Sequence, residues 1–260
     1  MIIQKQFISG LASRKARIDK RGQEEFRDVS IETGVIYKAE GSARVRIGKT
    51  EVIAGVKMDV GTPFADRPDE GVLMVGAEFS PIASPSFEKG PPAENSIELA
   101  RVVDRGIRES KAIDLKKLCI KEKEKCWMVF VDIHIVNHAG NLIDAAGLAS
   151  IAALHTAKMP EYDEEAGKVS YEKKHKKLPI KSKPVPITVF KMVDSLFLDP
   201  NLEEEGVMSV SMTVTTQDEG NVVALQKRGS GSLSPEEIEK AFELSLKKGA
   251  EIRKLLEKHI

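Results

Sequence analysis

The sequence predicts an α+β protein in which mixed β-sheets pack against helices. Three observations favour this class. Alternating residue types predict a β-hairpin over 43–60, an apolar run at 127–136 predicts a strand buried on both faces, and helical patterns flank that run. The order of strands, helix, strand, helix, strands and helix indicates mixed sheets rather than a regular βαβ repeat.

The first half of the chain contains a hairpin, a strand and a helix. Gly48-Lys49 forms the tight turn of the hairpin, and residues 72–80 predict another short strand. A proline-rich loop follows at 81–95. A helix is expected over 96–112, because its apolar residues fall on one arc at about 100° per residue.

The second half of the chain continues with a helix and further strands. The stretch 144–158 is rich in small residues, which predicts a helix that packs closely on a sheet. Strands are expected near 187–198, 207–216 and 221–226. Ser234 begins the last helix as N-cap, because proline and two acidic residues follow it in the first turn.

The domain organisation follows from one polar segment. Residues 159–186 are lysine-rich and contain four prolines, so we interpret them as a linker. The linker separates an N-terminal domain, 1–158, from a C-terminal domain, 187–260.

The composition excludes several classes of protein. No apolar run approaches the roughly 20 residues of a membrane helix, and the first residues lack the pattern of a signal peptide, so we expect a cytoplasmic protein with no membrane contact. Lys+Arg and Asp+Glu number 40 each, which argues against a chain that coats nucleic acid on its own. Cys119 and Cys126 are expected to be free thiols in a reducing compartment.

The candidate RNA-binding residues are four arginines. Arg101, Arg105 and Arg108 project from one face of the predicted helix 96–112, and Arg67 lies in a stiff loop, 62–71. The planar guanidinium group suits phosphate oxygens. The alternative is an ordinary solvated helix face with intrahelical ion pairs such as Asp104–Arg108, and an ordinary surface turn around Arg67.

No metal or cofactor site is expected. His134, His138 and His155 lack the converging acids or thiols of a metal site, so core or surface histidines are the better interpretation. Gly48-Lys49-Thr50 is not a phosphate-binding P-loop, because Ala43 replaces the first glycine and the turn joins two strands.

Segments along nearly the whole chain match the motifs of one family, in the family's order. Arg17-Ile18-Asp19-Lys20-Arg21 and Arg27 are similar to its opening motif, with Lys20 in place of a glycine. Glu40-Gly41-Ser42-Ala43 is similar to the entry of its hairpin. The stretches 96–118, 131–154 and 194–217 are similar to its first long helix, its phosphate loop with flanking strand and helix, and its segment that carries the catalytic acid. The chain therefore resembles the RNase PH family.

The resemblance implies the RNase PH fold of two βαβ-type halves, six such subunits in a ring, and phosphorolytic 3′ to 5′ degradation of RNA. Two departures decide the expected role. The loop Asn137–Leu142 lacks a glycine, a hydroxyl and an arginine of the family's phosphate loop, and no carboxylate occupies the expected place after Glu203–Glu205. Because phosphoryl transfer depends on positioning and charge stabilisation, we expect no catalytic residue here. Glu203–Glu205 is expected to be a solvated turn.

These losses look most like the inactive ring subunit of the archaeal exosome. That likeness implies an alternating hexameric ring with a catalytic RNase PH-like exosome subunit, RNA-binding cap subunits, and single-stranded RNA as ligand. It also favours Arg101, Arg105 and Arg108 as RNA contacts and places Arg67 at the central pore. Two alternatives remain: an autonomous phosphate-dependent exoribonuclease in which Asp194 or Asp199 replaces the acid, and an unrelated RNA-binding module.

Overall fold

The computed structural model describes residues 2–260, and the side chains at positions 2, 4 and 173–175 lie outside that description. The described residues form five α-helices and twelve strands. The helices are α1 Ile2–Ala12, α2 Glu94–Glu109, α3 Leu142–Thr156, α4 Leu202–Glu205 and α5 Pro235–Leu256. The strands are β1 Val29–Thr33, β2 Gly41–Ile47, β3 Thr50–Gly61, β4 Val72–Phe79, β5 Cys119–Lys121, β6 Lys125–Asn137, β7 Lys158–Asp163, β8 Lys168–Lys177, β9 Val185–Met192, β10 Ser195–Leu198, β11 Val210–Thr216 and β12 Val222–Arg228.

Two main sheets carry the fold, and the predicted hairpin, strands and long helices are present. The expectation that the strand at 127–136 is buried on both faces is wrong, because buried residues of β6 alternate with partly or fully exposed ones such as Asp132 and His134. The first sheet has the order β1-β2-β3-β6-β4, with β5 also paired to β6. It is mixed, because β4 runs parallel to β6 while the other pairs are antiparallel. The second sheet, β10-β9-β11-β12, is antiparallel. None of the described helices is both long and apolar enough to cross a membrane.

The helices α2 and α3 lie between the two sheets. Residues 142–154 of α3 are all buried, as its small side chains predict. A Cβ at Gly106 of α2 would lie 3.2 Å from Thr215, and one at Gly249 of α5 would lie 2.6 Å from Thr216. Because neighbouring residues of a strand face opposite sides, α5 covers the other face of the second sheet. This explains why every residue of β11 is buried.

Residues 159–186 differ from the expected linker. They contain most of an antiparallel hairpin, β7–β8, and the start of β9. Tyr162 of this hairpin meets Trp127 edge to face, with ring centroids 6.2 Å apart. The register shifts on both sides of Pro160, because proline has no N–H to donate to the neighbouring strand. The same proline made the strand resemble a linker in the sequence. The side chains of two lysines in the segment, Lys173 and Lys174, lie outside the described residues. The boundaries 1–158 and 187–260 remain a prediction.

Gly41 is expected to be essential for the packing of α3 on β2. A Cβ at this position would overlap the carbonyl oxygen of Ala153 and lie 2.7 Å from Cα of Ala157. We therefore expect Gly41→Ala to lower the free energy of unfolding by about 1–3 kcal/mol. Gly10→Ala is the matched control: nothing lies within 4 Å of its added Cβ, and the residue is inside α1. It should raise stability by up to about 1 kcal/mol. Urea denaturation followed by tryptophan fluorescence measures both, and equal effects would contradict this account.

Candidate functional site

The candidate site lies at the N-terminus of α3, where the family's phosphate loop is expected. Asn141, the N-cap of α3, has a left-handed backbone with φ of 58°, and Gly140 before it has φ of 92°. A Cβ at Gly140 would lie 2.5 Å from the carbonyl oxygen of Pro200 and 2.7 Å from the amide nitrogen of Leu202. The loop is therefore pressed against the start of α4.

A carboxylate of the protein itself occupies this helix N-terminus. The backbone N–H of Asn141 donates a hydrogen bond to Oε1 of Glu205, at 2.8 Å. Burial raises the pKa of Glu205, and the charges of Arg228 and Arg27 oppose that shift. Helix N-termini attract anions through their free N–H groups and dipole. Glu205 therefore takes a place that would suit a phosphate oxygen.

The expectation that Glu203–Glu205 is a solvated turn is wrong, because the three residues are helical and only Glu203 among them is exposed. These residues form α4, which Asn201 begins with a capping box to Glu204. The Glu204 side chain is fully buried and accepts two hydrogen bonds from Arg17, whose side chain is also fully buried. Arg17 also donates to the carbonyl oxygens of Leu198 and Asp199. The sequence hides this pair, because its partners lie 187 residues apart and three consecutive acids usually indicate solvent.

Asp199 is held as an anion by two further arginines. Its Oδ1 accepts from Nη2 of Arg27 at 2.6 Å and from Nδ2 of Asn141 at 2.8 Å. Its Oδ2 accepts from Nε of Arg27 at 2.8 Å and from Nη1 of Arg21 at 2.9 Å. Burial opposes ionisation, but the hydrogen bonds and charge of Arg27 outweigh it and lower the pKa of Asp199. A carboxylate bound in this way has no proton to donate.

Asp144 is a second buried carboxyl beside the first. It accepts hydrogen bonds from the backbone N–H and the hydroxyl of Thr188, and from the same Asn141 amide that bonds Asp199. Burial dominates here and raises the pKa of Asp144 to about 7. The group joins α3 to β9, so it connects the two halves of the chain.

A small cavity of about 90 Å³ lies over this cluster. Its lining includes Phe87, His138, Glu205 and Arg228. Phe87 stacks on His138 with centroids 5.4 Å apart, and burial lowers the pKa of His138. Ligand pockets usually measure about 300–1,000 Å³. The cavity is thus small for a nucleotide, and the carboxyl group of Glu205 takes up part of its lining.

The structure divides the four predicted arginines into two pairs. Arg101 and Arg105 line one depression on α2, where Arg105 donates to Gln226 of β12 at 3.1 Å. Arg108 and Arg67 line another depression, of about 320 Å³. Arg108 makes the expected ion pair with Asp104 at 2.7 Å, so the carboxylate of Asp104 balances its positive charge.

The remaining candidates lie away from the cluster. Asp194 is exposed between β9 and β10. His134 lies 3.4 Å from Glu78 on the open face of the first sheet. Among the described residues, no group of three or more His, Cys, Asp or Glu side chains could hold a metal ion.

The Arg17–Glu204 pair is expected to contribute strongly to stability in a way that depends on both partners. Arg17→Met leaves a buried carboxylate unpaired and should lower the free energy of unfolding by about 3–5 kcal/mol. Adding Glu204→Leu should recover part of that loss, because the unpaired charge is removed. Urea denaturation measures the free energy of unfolding of the wild-type chain, of Arg17→Met and of the double variant. As a control, Arg46→Met breaks half-exposed ion pairs with Glu32 and Glu51 and should cost less than about 1 kcal/mol. A similar loss for both arginines would contradict the burial argument.

Comparisons with known proteins agree with this architecture. The models of the 3′ exoribonuclease family match domain 1 at residues 25–160 and domain 2 at residues 183–248. The exosome complex component Rrp42 of Thermococcus gammatolerans is 50% identical over 251 residues, covering 96% of this chain and 92% of the relative. Its counterpart in Methanocella arvoryzae is 48% identical over 255 residues, covering 98% and 96%.

Two solved structures are similar over almost the full length. One chain, from the Archaeoglobus fulgidus exosome with RNA bound to the active site, is 46% identical with a TM-score of 0.91, covering 97% of both chains. A chain of an archaeal exosome core is 42% identical with a TM-score of 0.87, covering 98% of this chain and 96% of that one. With matches to both domains, the chain belongs to the RNase PH (3′ exoribonuclease) family.

Proposed function

We propose that this chain is a non-catalytic ring subunit of an archaeal exosome, a 3′ to 5′ exoribonuclease complex. The main support for this proposal is the position of Glu205. Its side chain accepts a hydrogen bond from the N–H of Asn141 at the place where an attacking phosphate would need to bind. Its catalytic RNase PH-like partner alternates with it in a hexameric ring and supplies the chemistry. RNA-binding caps and single-stranded RNA complete the assembly.

The electrostatics of the site support the absence of catalysis. Phosphorolysis needs a place for inorganic phosphate and groups that stabilise the charge of the transition state. Here three carboxyl groups, from Asp144, Asp199 and Glu205, surround the N-terminus of α3. Arg27 is already bonded to Asp199 and to the carbonyl oxygen of Ala139. Arg228, which lines the cavity, is paired with Glu98 at 3.1 Å. An incoming phosphate would meet acceptors rather than free donors.

The autonomous exoribonuclease is the weaker alternative. Asp199 stands near the cluster, but both of its oxygens accept hydrogen bonds from arginine or asparagine donors, which keeps it ionised and occupied. Asp194 is exposed in a turn outside the cluster. Neither is placed to act as a general acid on RNA.

The two arginine pairs differ in how freely their guanidinium groups can bind RNA. Arg101 is exposed on α2 and Arg105 is held beside it by β12, so both guanidinium groups can reach a phosphate backbone. The charge of Arg108 is offset by Asp104, and Arg67 lies 3.8 Å from Glu70. We therefore assign the main RNA contact to Arg101 and Arg105, with Arg108 and Arg67 as lesser contributors.

The cellular place that we propose is the cytoplasm. It is supported by the two unpaired cysteines, which are typical of a reducing compartment.

The purified chain alone is expected to release no nucleoside diphosphate from single-stranded RNA in the presence of inorganic phosphate. Mixed with a catalytic RNase PH-like subunit, it should form a ring and raise that subunit's phosphorolytic rate. Chromatographic separation of the released nucleotides measures both results. Asp199→Asn serves as the check on contamination: robust release that this change abolishes would establish autonomous catalysis and end the proposal.

The double change Arg101→Glu and Arg105→Glu should weaken RNA binding by the assembled ring at least about tenfold, since each reversal removes a phosphate contact and adds repulsion. The ring itself should still form. The control changes Lys254→Glu and Lys258→Glu alter charge equally at the same four-residue spacing, on exposed residues at the end of the chain. Fluorescence anisotropy with labelled RNA at several salt concentrations measures the affinity. Equal affinity for both double variants would return Arg101 and Arg105 to an ordinary solvated helix face.

A further inference from the structure

The chain's two cysteines face each other across a pair of strands. Cys119 begins β5 and Cys126 lies in β6, and the two residues are direct partners in the antiparallel register. Directly opposed residues share a face of the sheet and have Cα atoms about 4.5–5.5 Å apart. Disulfides bridge Cα atoms about 4.4–6.8 Å apart, so this register is compatible with a disulfide between the two residues.

The two thiols differ in their access to solvent. Cys126 is fully buried. This burial and, to a smaller extent, the nearby Cys119 raise the pKa of the Cys126 thiol. Cys119 is partly exposed at the edge of the sheet, where Lys121 and Lys123 follow in the next turn. A small oxidant therefore reaches Cys119 first, and Cys126 lies beside it as the second thiol.

We propose that Cys119 and Cys126 form a reversible intramolecular disulfide when the protein meets a peroxide. The Cys119 thiolate attacks one oxygen of hydrogen peroxide, the O–O bond breaks, and sulfenic acid and water are produced after proton transfer. The Cys126 sulfur then attacks the Cys119 sulfur, the S–O bond breaks, and a second water leaves. Two thiols are oxidised and one peroxide is reduced to two waters.

The Cys119–Cys126 disulfide would stabilise the loop 62–71, which contains Arg67. The turn between β5 and β6 supports this loop through the N–H of Lys123, which donates to the carbonyl oxygen of Pro68 at 2.9 Å. The other end of the loop is fixed by the N–H of Gly71, which donates to the carbonyl oxygen of Leu115 at 2.8 Å. A disulfide closing the hairpin restricts local opening of these contacts. Its formation does not depend on the proposed role in the ring.

Intact-mass measurement of the full chain tests the proposal. The reduced protein is titrated with hydrogen peroxide, quenched with acid, and its mass is read under denaturing conditions. The expected result is a monomer that has lost two hydrogen atoms and regains them with a phosphine reductant. Because the chain has only two cysteines, an intramolecular disulfide must join this pair. A mass gain of oxygen without loss of hydrogen, or a disulfide-linked dimer as main product, would overturn it.

The single variants Cys119→Ser and Cys126→Ser distinguish the two steps. Each should lose the intramolecular bond, and Cys126→Ser should stop at Cys119 sulfenic acid, which a dimedone probe traps. Hydrogen exchange of the amides of Lys123 and Gly71 should slow on oxidation of the wild-type chain and not of either variant. Unchanged exchange in an oxidised, disulfide-bonded chain would overturn the bracing of the loop.

Discussion

The structure depends on buried pairing between arginines near the N-terminus and acids nearly two hundred residues later. Arg17 meets Glu204 with neither side chain exposed, and Arg21 and Arg27 meet Asp199. Removing such charges from water costs several kcal/mol per ion, so the arrangement is stable only because every group has good partners. This requirement fixes the segment 17–27, the start of α4 and the N-terminus of α3 relative to one another.

The same pairing determines the chemistry of the site. Arg17 fixes Glu204 of α4, and the residue after Glu204, Glu205, therefore lies at the N-terminus of α3. There it accepts a hydrogen bond from the backbone N–H of Asn141. Asn141 in turn donates its side-chain amide to Asp199 and Asp144. The site thus satisfies its donors internally with carboxyl groups. A phosphate would need to displace a carboxyl group that the fold itself holds in place.

The layered packing keeps this cluster away from solvent while leaving the candidate RNA surface open. The helices α2 and α3 lie between the two sheets, and α3 is buried along most of its length. On α2, Arg101 and Arg105 are on the side that faces solvent and β12. The chain therefore presents basic groups on a helix, while the cluster at the N-terminus of α3 is closed by internal contacts.

The sequence by itself determined the elements and the family. Local patterns specified the hairpin 43–60, the helices α2, α3 and α5, and the N-cap Ser234, because these depend on residues close together along the chain. It also showed that the phosphate loop was altered. Where the family has a glycine, Lys20 has a φ of 66°, a left-handed conformation that favours glycine and that a lysine in the sequence would not suggest.

Only the tertiary structure decided where Glu204 and Glu205 lie and what they contact. The run Glu203–Glu205 looked like a solvated turn, since its charged neighbours in sequence gave no sign of Arg17 or Asn141. The hairpin β7–β8 looked like a linker, because it contains a proline and many lysines and its partner Trp127 is distant in sequence. Buried ion pairs and strand contacts are set by long-range proximity, which a local pattern does not record.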